Sequence, residues 1–292
     1  MLLSRSLGLS LVSSALGYVL RSEAYDDVEL GDWCGTDDTN VSPMILQYYG
    51  PSAKRQEQTI VVPTYFHVVT NSTRPEDGYL SDELLQAQLD VLNSDFSGTG
   101  ISFDLIGTNR VVHEVWGDSA DTDDHQAMKT ELRQGDYKTL NIYFRTFVGY
   151  STNSTTPLLG SCTLPEPSVE PESRLFYRDG CMIRHGTVPG GSLPPYNLGR
   201  TGTHEVGHWL GLRHTFLGGC SGDGDFVLDT PPQANATRGC PQEGDEDFDT
   251  CEGGGPDPIH NHMNYSAHDC RNEFTPGQAD RMHELWSRRE SP

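Results

Sequence analysis

The chain has 292 residues, enough for one sizeable domain with extra segments at its ends. Its 42 acidic residues against 20 basic ones leave a formal charge of −22. A surface of that sign repels phosphate backbones, which excludes nucleic acid as an expected partner.

Residues 1–24 read as a secretory signal, with Arg5 as the positive start, an apolar run from Leu7 to Leu20 and small residues for cleavage at Ser22-Glu23-Ala24, cuts after Ala15 or Gly17 being the alternatives. The run is short for a membrane span and broken by Ser and Gly, so no stable membrane association is expected and the protein reads as secreted. Sequons at Asn40, Asn71, Asn153 and Asn235 fit the same route and permit glycosylation. Residues 25–58 are polar, acidic and weakly periodic, with Pro43 and Pro51 as breakers, and read as a pro-segment rather than core.

A catalytic domain is expected over 59–292. Ile60 to Val69 is β-branched and aromatic and predicts a strand, with His67 a strand residue rather than a ligand. Ser81 caps a predicted helix with Asp82 and Glu83 in its first turn and Leu85, Leu89 and Leu92 on its apolar face. Ile101 to Ile106 and Leu140 to Arg145 predict further strands, and residues 122–134 a helix between them. The acid-rich stretch 152–180 reads as an irregular loop, and Gly186 to Gly199 as another. Beyond Gly211 the chain is dominated by Gly, Pro and Asp until Thr275, where Pro276 opens a final helix running to about Arg288. The expectation is an α/β (α+β) fold. Its upper part, 59–211, combines a mixed sheet with helices; its lower part, 212–292, is irregular, disulfide-rich and closed by the last helix. In the lower part Asp223, Asp225, Asp229 and Thr230 offer hard oxygen ligands for Ca2+, the alternative being a solvated acidic loop.

The chemistry is concentrated in His204-Glu205-Val206-Gly207-His208-Trp209-Leu210-Gly211-Leu212-Arg213-His214. Histidines four residues apart stack on one helix face, where both imidazoles reach one metal ion. Glu205 directs a carboxylate to the same place without ligating. Gly211 accepts a left-handed turn, after which His214 arrives as a third nitrogen ligand. Three imidazoles leave the fourth position of Zn2+ open for water, the mark of a catalytic site.

This motif resembles that of the metzincin zinc proteases. Gly199-Arg200-Thr201 before it, Asp229-Thr230-Pro231 after it and Asn272-Glu273-Phe274-Thr275-Pro276-Gly277-Gln278 near the end are similar to the pappalysin family, and the likeness runs over about residues 59–290. The resemblance implies a metzincin-type zincin, a secreted endopeptidase made as a zymogen, acting on protein or peptide substrates with Glu205 as general base. It makes His262-Met263-Asn264-Tyr265 a Met-turn, with Met263 beneath the metal ligands and Tyr265 steadying an oxyanion; the further sequon at Asn264 would then be too buried for a glycan. It places Asp269 at the base of a pocket selecting Arg or Lys at P1′, which would suit self-processing at Lys54-Arg55. It pairs Cys220 with Cys251 and Cys240 with Cys270. Cys162 and Cys181 then remain to clip the loop between them, and Cys34 is left over. In Trp33-Cys34-Gly35-Thr36, Cys34 resembles a cysteine that ligates the zinc of a latent precursor, although Trp33 stands where relatives often carry a basic residue. A disulfide role for Cys34 is the alternative.

Two other functional classes use the same ligands. A zinc amidase or deacetylase would act on non-peptide amides, and a secreted zinc-binding recognition module would not turn over at all. Oligomeric state has no signature in the sequence.

Overall fold

Strand β1, Ile60–Thr70, lies between β2, Ile101–Val112, and β3, Leu140–Arg145, in a five-stranded sheet of spatial order β2-β1-β3-β5-β4, where β4 is Gly160–Cys162 and β5 is Cys181–Arg184. The computed structural model describes residues 33–39, 41–50, 59–151 and 155–289. The expected signal at 1–24, the sequons at Asn40 and Asn153, and Lys54 and Arg55 lie outside those residues. Strands β2, β3 and β5 are parallel within the sheet, and β4 pairs antiparallel with β5 at one edge. Burial of every residue of β3 fits a central strand covered on both faces.

Helix α1, Asp82–Phe96, starts where Ser81 accepts a hydrogen bond from the Leu84 amide, and buries Leu85, Leu89, Leu92 and Phe96. These side chains form one core with Phe66 and Val68 of β1, Ile142 and Phe144 of β3, and Val206 and Trp209 of helix α4, Arg200–Trp209. Helix α2, Thr122–Leu132, is capped by Asp121 and sends Met128 and Leu132 into a second cluster with Tyr143 and Met182. The stretch 152–180 departs from the expected loop. It contains β4 and a short helix α3, Arg174–Arg178, and β4 is held as a strand by its pairing with β5 and by the Cys162–Cys181 disulfide.

Among the described residues no helix or strand lies between Trp209 and Pro276. Disulfides Cys220–Cys251 and Cys240–Cys270 cross this region. The Asn264 amide organises its interior, donating to Gln233, Thr237 and the Pro258 carbonyl and accepting from the Thr237 and Tyr265 amides. Fully buried and hydrogen-bonded at both ends, that amide has no room for a glycan. Helix α5, Pro276–Ser287, opens with a capping box between Thr275 and Gln278. No helix among the described residues is long and apolar enough to cross a membrane.

The N-terminal residues 33–50 are built into this structure. Trp33 and Ile45 are fully buried, Gly35 donates to the Gly160 carbonyl at 2.9 Å, and Tyr49 exchanges backbone hydrogen bonds with Phe226 and Leu228. The Arg281 guanidinium of α5 reaches the carbonyls of Ile45 and Gln47.

Candidate active site

Helix α4 brings His204 and His208 to one face, and Gly211, at φ +98°, reverses the chain so that His214 returns to the same point. The three Nε2 atoms lie 3.1–3.2 Å from one another. Each Nδ1 faces an acceptor: the His262 carbonyl at 2.7 Å for His204, the Leu212 carbonyl at 2.9 Å for His208, and the Asp38 carboxylate at 2.8 Å for His214. Those acceptors place the proton on Nδ1, so each Nε2 carries a lone pair. Three lone pairs converging in a buried space repel unless a cation lies among them. Burial, with the neighbouring imidazoles, pushes His204 well below the usual histidine range and His208 to about 3, which keeps both rings neutral as metal ligation requires. The residues therefore fit zinc, whose ligands here would be three nitrogens at about 2.0–2.1 Å.

Cys34 completes the cluster. Its Sγ and the three histidine nitrogens lie within 4.8 Å of one another, in the one group of three or more ligating side chains among the described residues. Burial, followed by the charge of Glu205, raises the Cys34 thiol well above its ordinary range. A cation among the imidazoles acts in the opposite sense and favours thiolate. Glu205 is buried beside it, and burial raises its carboxyl to about 8. Glu205 Oε2 accepts from the Thr36 hydroxyl at 3.2 Å. Gly160 of β4 is required for this packing: a Cβ there would come within 2.6 Å of the Glu205 side chain.

Met263 lies under α4 in the same way. A Cβ on Gly207 would collide with its sulfur, so the helix approaches Met263 through a glycine. Tyr265 is buried with its ring 5.7 Å from His204 and 5.0 Å from His214. Asp269, expected at the base of a pocket selecting Arg or Lys, is exposed, directly before the disulfide-bonded Cys270. The four residues offered for calcium are hydrogen-bonded within the protein. Both oxygens of Asp229 serve the start of α5, accepting from the Thr275 hydroxyl at 2.8 Å and the Gly277 amide at 2.9 Å. The Thr230 hydroxyl donates to Asp225, and Asp223 accepts from the Tyr48 hydroxyl instead. Asn235 is exposed, whereas Asn71 is half-buried and its amide nitrogen donates to the Asp118 carboxylate at 2.8 Å.

The model of the family Peptidase_M43, described as Pregnancy-associated plasma protein-A, matches residues 123–287. The chain belongs to this peptidase family. It is accordingly a metalloendopeptidase of metzincin fold. An extracellular metalloprotease 1 of Coccidioides posadasii is 48% identical over 227 residues, covering 78% of this chain and 77% of that protein. An extracellular metalloprotease of Verticillium alfalfae is 44% identical over 262 residues, covering 87% and 89%. Among solved structures, mature mirolysin of Tannerella forsythia in complex with a cleaved peptide superposes with a TM-score of 0.60 at 28% identity, over 77% of this chain and 91% of that one. A promirolysin mutant from the same organism gives 0.62 at 27% identity, over 83% and 84%.

Three residues at this peptidase site were given no role of their own by the sequence. Asp38, in a polar stretch, accepts from both the ring and the backbone amide of His214. Thr36 bonds Glu205 and pairs with the Cys162 backbone in both directions. Arg271, directly after Cys270, is fully buried with its guanidinium centre 5.0 Å from the Trp33 ring. The partners of all three are distant in the chain, so periodicity and spacing had nothing to report.

Proposed function

We propose that this chain is a secreted zinc endopeptidase synthesised as a zymogen, with His204, His208 and His214 as its metal ligands and Glu205 as its general base. The carrying observation is the convergence of three Nε2 lone pairs, each fixed by an acceptor at Nδ1, beside a buried carboxylate. Zinc held there would polarise the scissile carbonyl and acidify an attacking water. Glu205 takes the proton from that water and delivers it to the leaving amine. Tyr265 steadies the developing oxyanion, a role supported by its packing beside two of the ligands, while Met263 supports the ligands from below. The edge strand β4 receives the substrate backbone; in support, it already holds residues 33–36 as an added strand. That mode of binding favours peptides over acetylated sugars.

Residues 25–58 act as the pro-segment. Cys34 takes the fourth ligand position, Thr36 occupies Glu205, and Asp38 fixes His214. Catalysis then begins only when this segment leaves.

The test is digestion of denatured protein by activated wild type, by wild type with a zinc chelator, and by Glu205→Ala. Cleavage confined to untreated wild type is expected. Equal cleavage by folded Glu205→Ala would remove Glu205 from the mechanism, and hydrolysis of an acetylated amino sugar without cleavage of protein would point to a deacetylase.

A further inference from the structure

We infer that the cavity filled by Trp33 is a substrate side-chain pocket, selective for large aromatic residues flanking the scissile bond and hostile to Arg and Lys. This rests on the zinc endopeptidase reading above and names its substrate class.

Residues 33–36 lie in the cleft as a peptide would. The Trp33 carbonyl accepts from the Leu159 amide at 2.7 Å, Gly35 donates to the Gly160 carbonyl, and the Thr36 hydroxyl bonds the Cys162 carbonyl at 3.2 Å. Cys34 sits among the three histidines, so Trp33 occupies the position one residue from the reacting centre. Its indole is fully buried. The ring centroid lies 4.5 Å from Tyr265, 4.7 Å from His204 and 5.9 Å from Tyr196, and the Arg271 guanidinium closes the cavity over its face. Removal of the pro-segment opens a cavity of indole size walled by two tyrosines and a metal-ligand ring.

Arg271 decides what enters. Its Nη1 donates to the carbonyls of His262 and Asn264, both at 3.3 Å, which fixes the group against the Met-turn. Its Nε and Nη2 are buried without a hydrogen-bond partner among the described residues. Asp95 does not neutralise it at contact, because that carboxylate takes the Thr203 hydroxyl at 2.7 Å and lies 3.6 Å from Arg200. A desolvated guanidinium gains from an aromatic face and opposes a second cation in the same space. His268 is neutral here, with Nδ1 accepting from the Leu198 amide and Nε2 facing the Thr201 hydroxyl, so it neither offsets the guanidinium nor adds to it. The walls thus match aromatic residues, and the pro-segment's own tryptophan is the first example.

The experiment uses enzyme activated from the full precursor and a peptide library randomised on both sides of one cleavable bond. Phe, Tyr or Trp at one flanking position is expected to raise kcat/KM by about tenfold or more over Lys or Arg there. Cuts with no aromatic preference, or enriched in basic or acidic residues, overturn the pocket assignment while leaving the endopeptidase intact. Absence of any metal-dependent cut that Glu205→Ala also lacks would instead remove the reading on which the pocket rests. Arg271→Met is expected to relieve the penalty on Lys and Arg. Because Arg271 also braces two carbonyls, a second measurement avoids any folding defect: synthetic peptides of residues 31–38 inhibiting wild-type enzyme in trans. In that peptide Trp33→Arg is expected to weaken inhibition at least as much as Trp33→Ala, and Trp33→Phe to preserve most of it. A Trp33→Arg peptide as potent as the native one overturns the proposal.

Discussion

In the proposed mechanism Glu205 is the residue on which hydrolysis turns, and its setting gives it two identifiable dependencies. The carboxyl is buried, accepts from Thr36, and lies against the bare backbone of Gly160. Glu205→Gln keeps the volume and loses the base, so kcat is expected to fall by about 10²–10⁴ with zinc content unchanged, as read by peptide kinetics beside metal analysis. Gly160→Ala inserts a methyl group within 2.6 Å of the same side chain. Overpacking of that kind costs about 1–3 kcal/mol and shifts the carboxylate, so this variant is expected to remain folded with activity down tenfold or more. Normal kinetics in Gly160→Ala would show that Glu205 has slack the packing denies.

At the scale of elements, α4 is anchored from behind by ion pairs as well as by the sheet. Asp179, one residue beyond the Arg174–Arg178 helix, is buried between Arg133 at 3.3 Å and Arg289 at 2.9 Å, and accepts from the Trp209 indole at the end of α4. Burial raises its carboxyl, but Arg289 and Arg133 outweigh burial and leave it below the usual aspartate value. A depressed folded-state value means stability is present above the unfolded aspartate value of about 3.9 and is lost as pH falls through the folded one. Asp179→Asn is therefore expected to lower stability by about 3–5 kcal/mol at pH 7, because it leaves two arginines buried without their counter-charge. The gap between variant and wild type should narrow below about pH 4, which denaturant unfolding at several pH values measures. A gap independent of pH would assign the loss to packing instead.

Legibility in the sequence followed the range of the interactions. The helix formed by Arg200–Trp209, its two histidines and His214 beyond its end follow from spacing alone, because i, i+4 geometry and one left-handed glycine fix them locally. The capping residues Ser81 and Thr275 were visible for the same reason. Strand Gly160–Cys162 was not, since Gly-Ser-Cys has no strand propensity and becomes a strand through its partner. Asp269, singled out by family likeness, lies exposed, while Arg271, two positions later and without a local signal, is fully buried.

For the whole molecule, the sheet-bearing half holds its core by packing and the lower half by cross-links. Cys220–Cys251 and Cys240–Cys270 close loops of 31 and 30 residues in sequence separation, each worth about 3–4 kcal/mol by chain entropy. Replacing both Cys220 and Cys251 by Ser is expected to lower Tm and to uncouple loss of activity from loss of sheet structure, as followed by far-UV circular dichroism. Residues 33–50 bridge both halves, with Cys34 at the histidines, Tyr49 beside Val227 and Arg281 on Ile45 and Gln47. Their departure on activation is thus expected to lower global stability while opening the cleft.

The measurement that bears most directly on this account is X-ray absorption at the zinc edge of purified precursor, before and after removal of the pro-segment. One zinc per chain with three nitrogen ligands and one sulfur is the expected precursor state, the sulfur disappearing on activation and absent throughout in Cys34→Ala. A precursor without zinc, or zinc without a sulfur neighbour, would contradict a metal centre sealed by its own N-terminal segment.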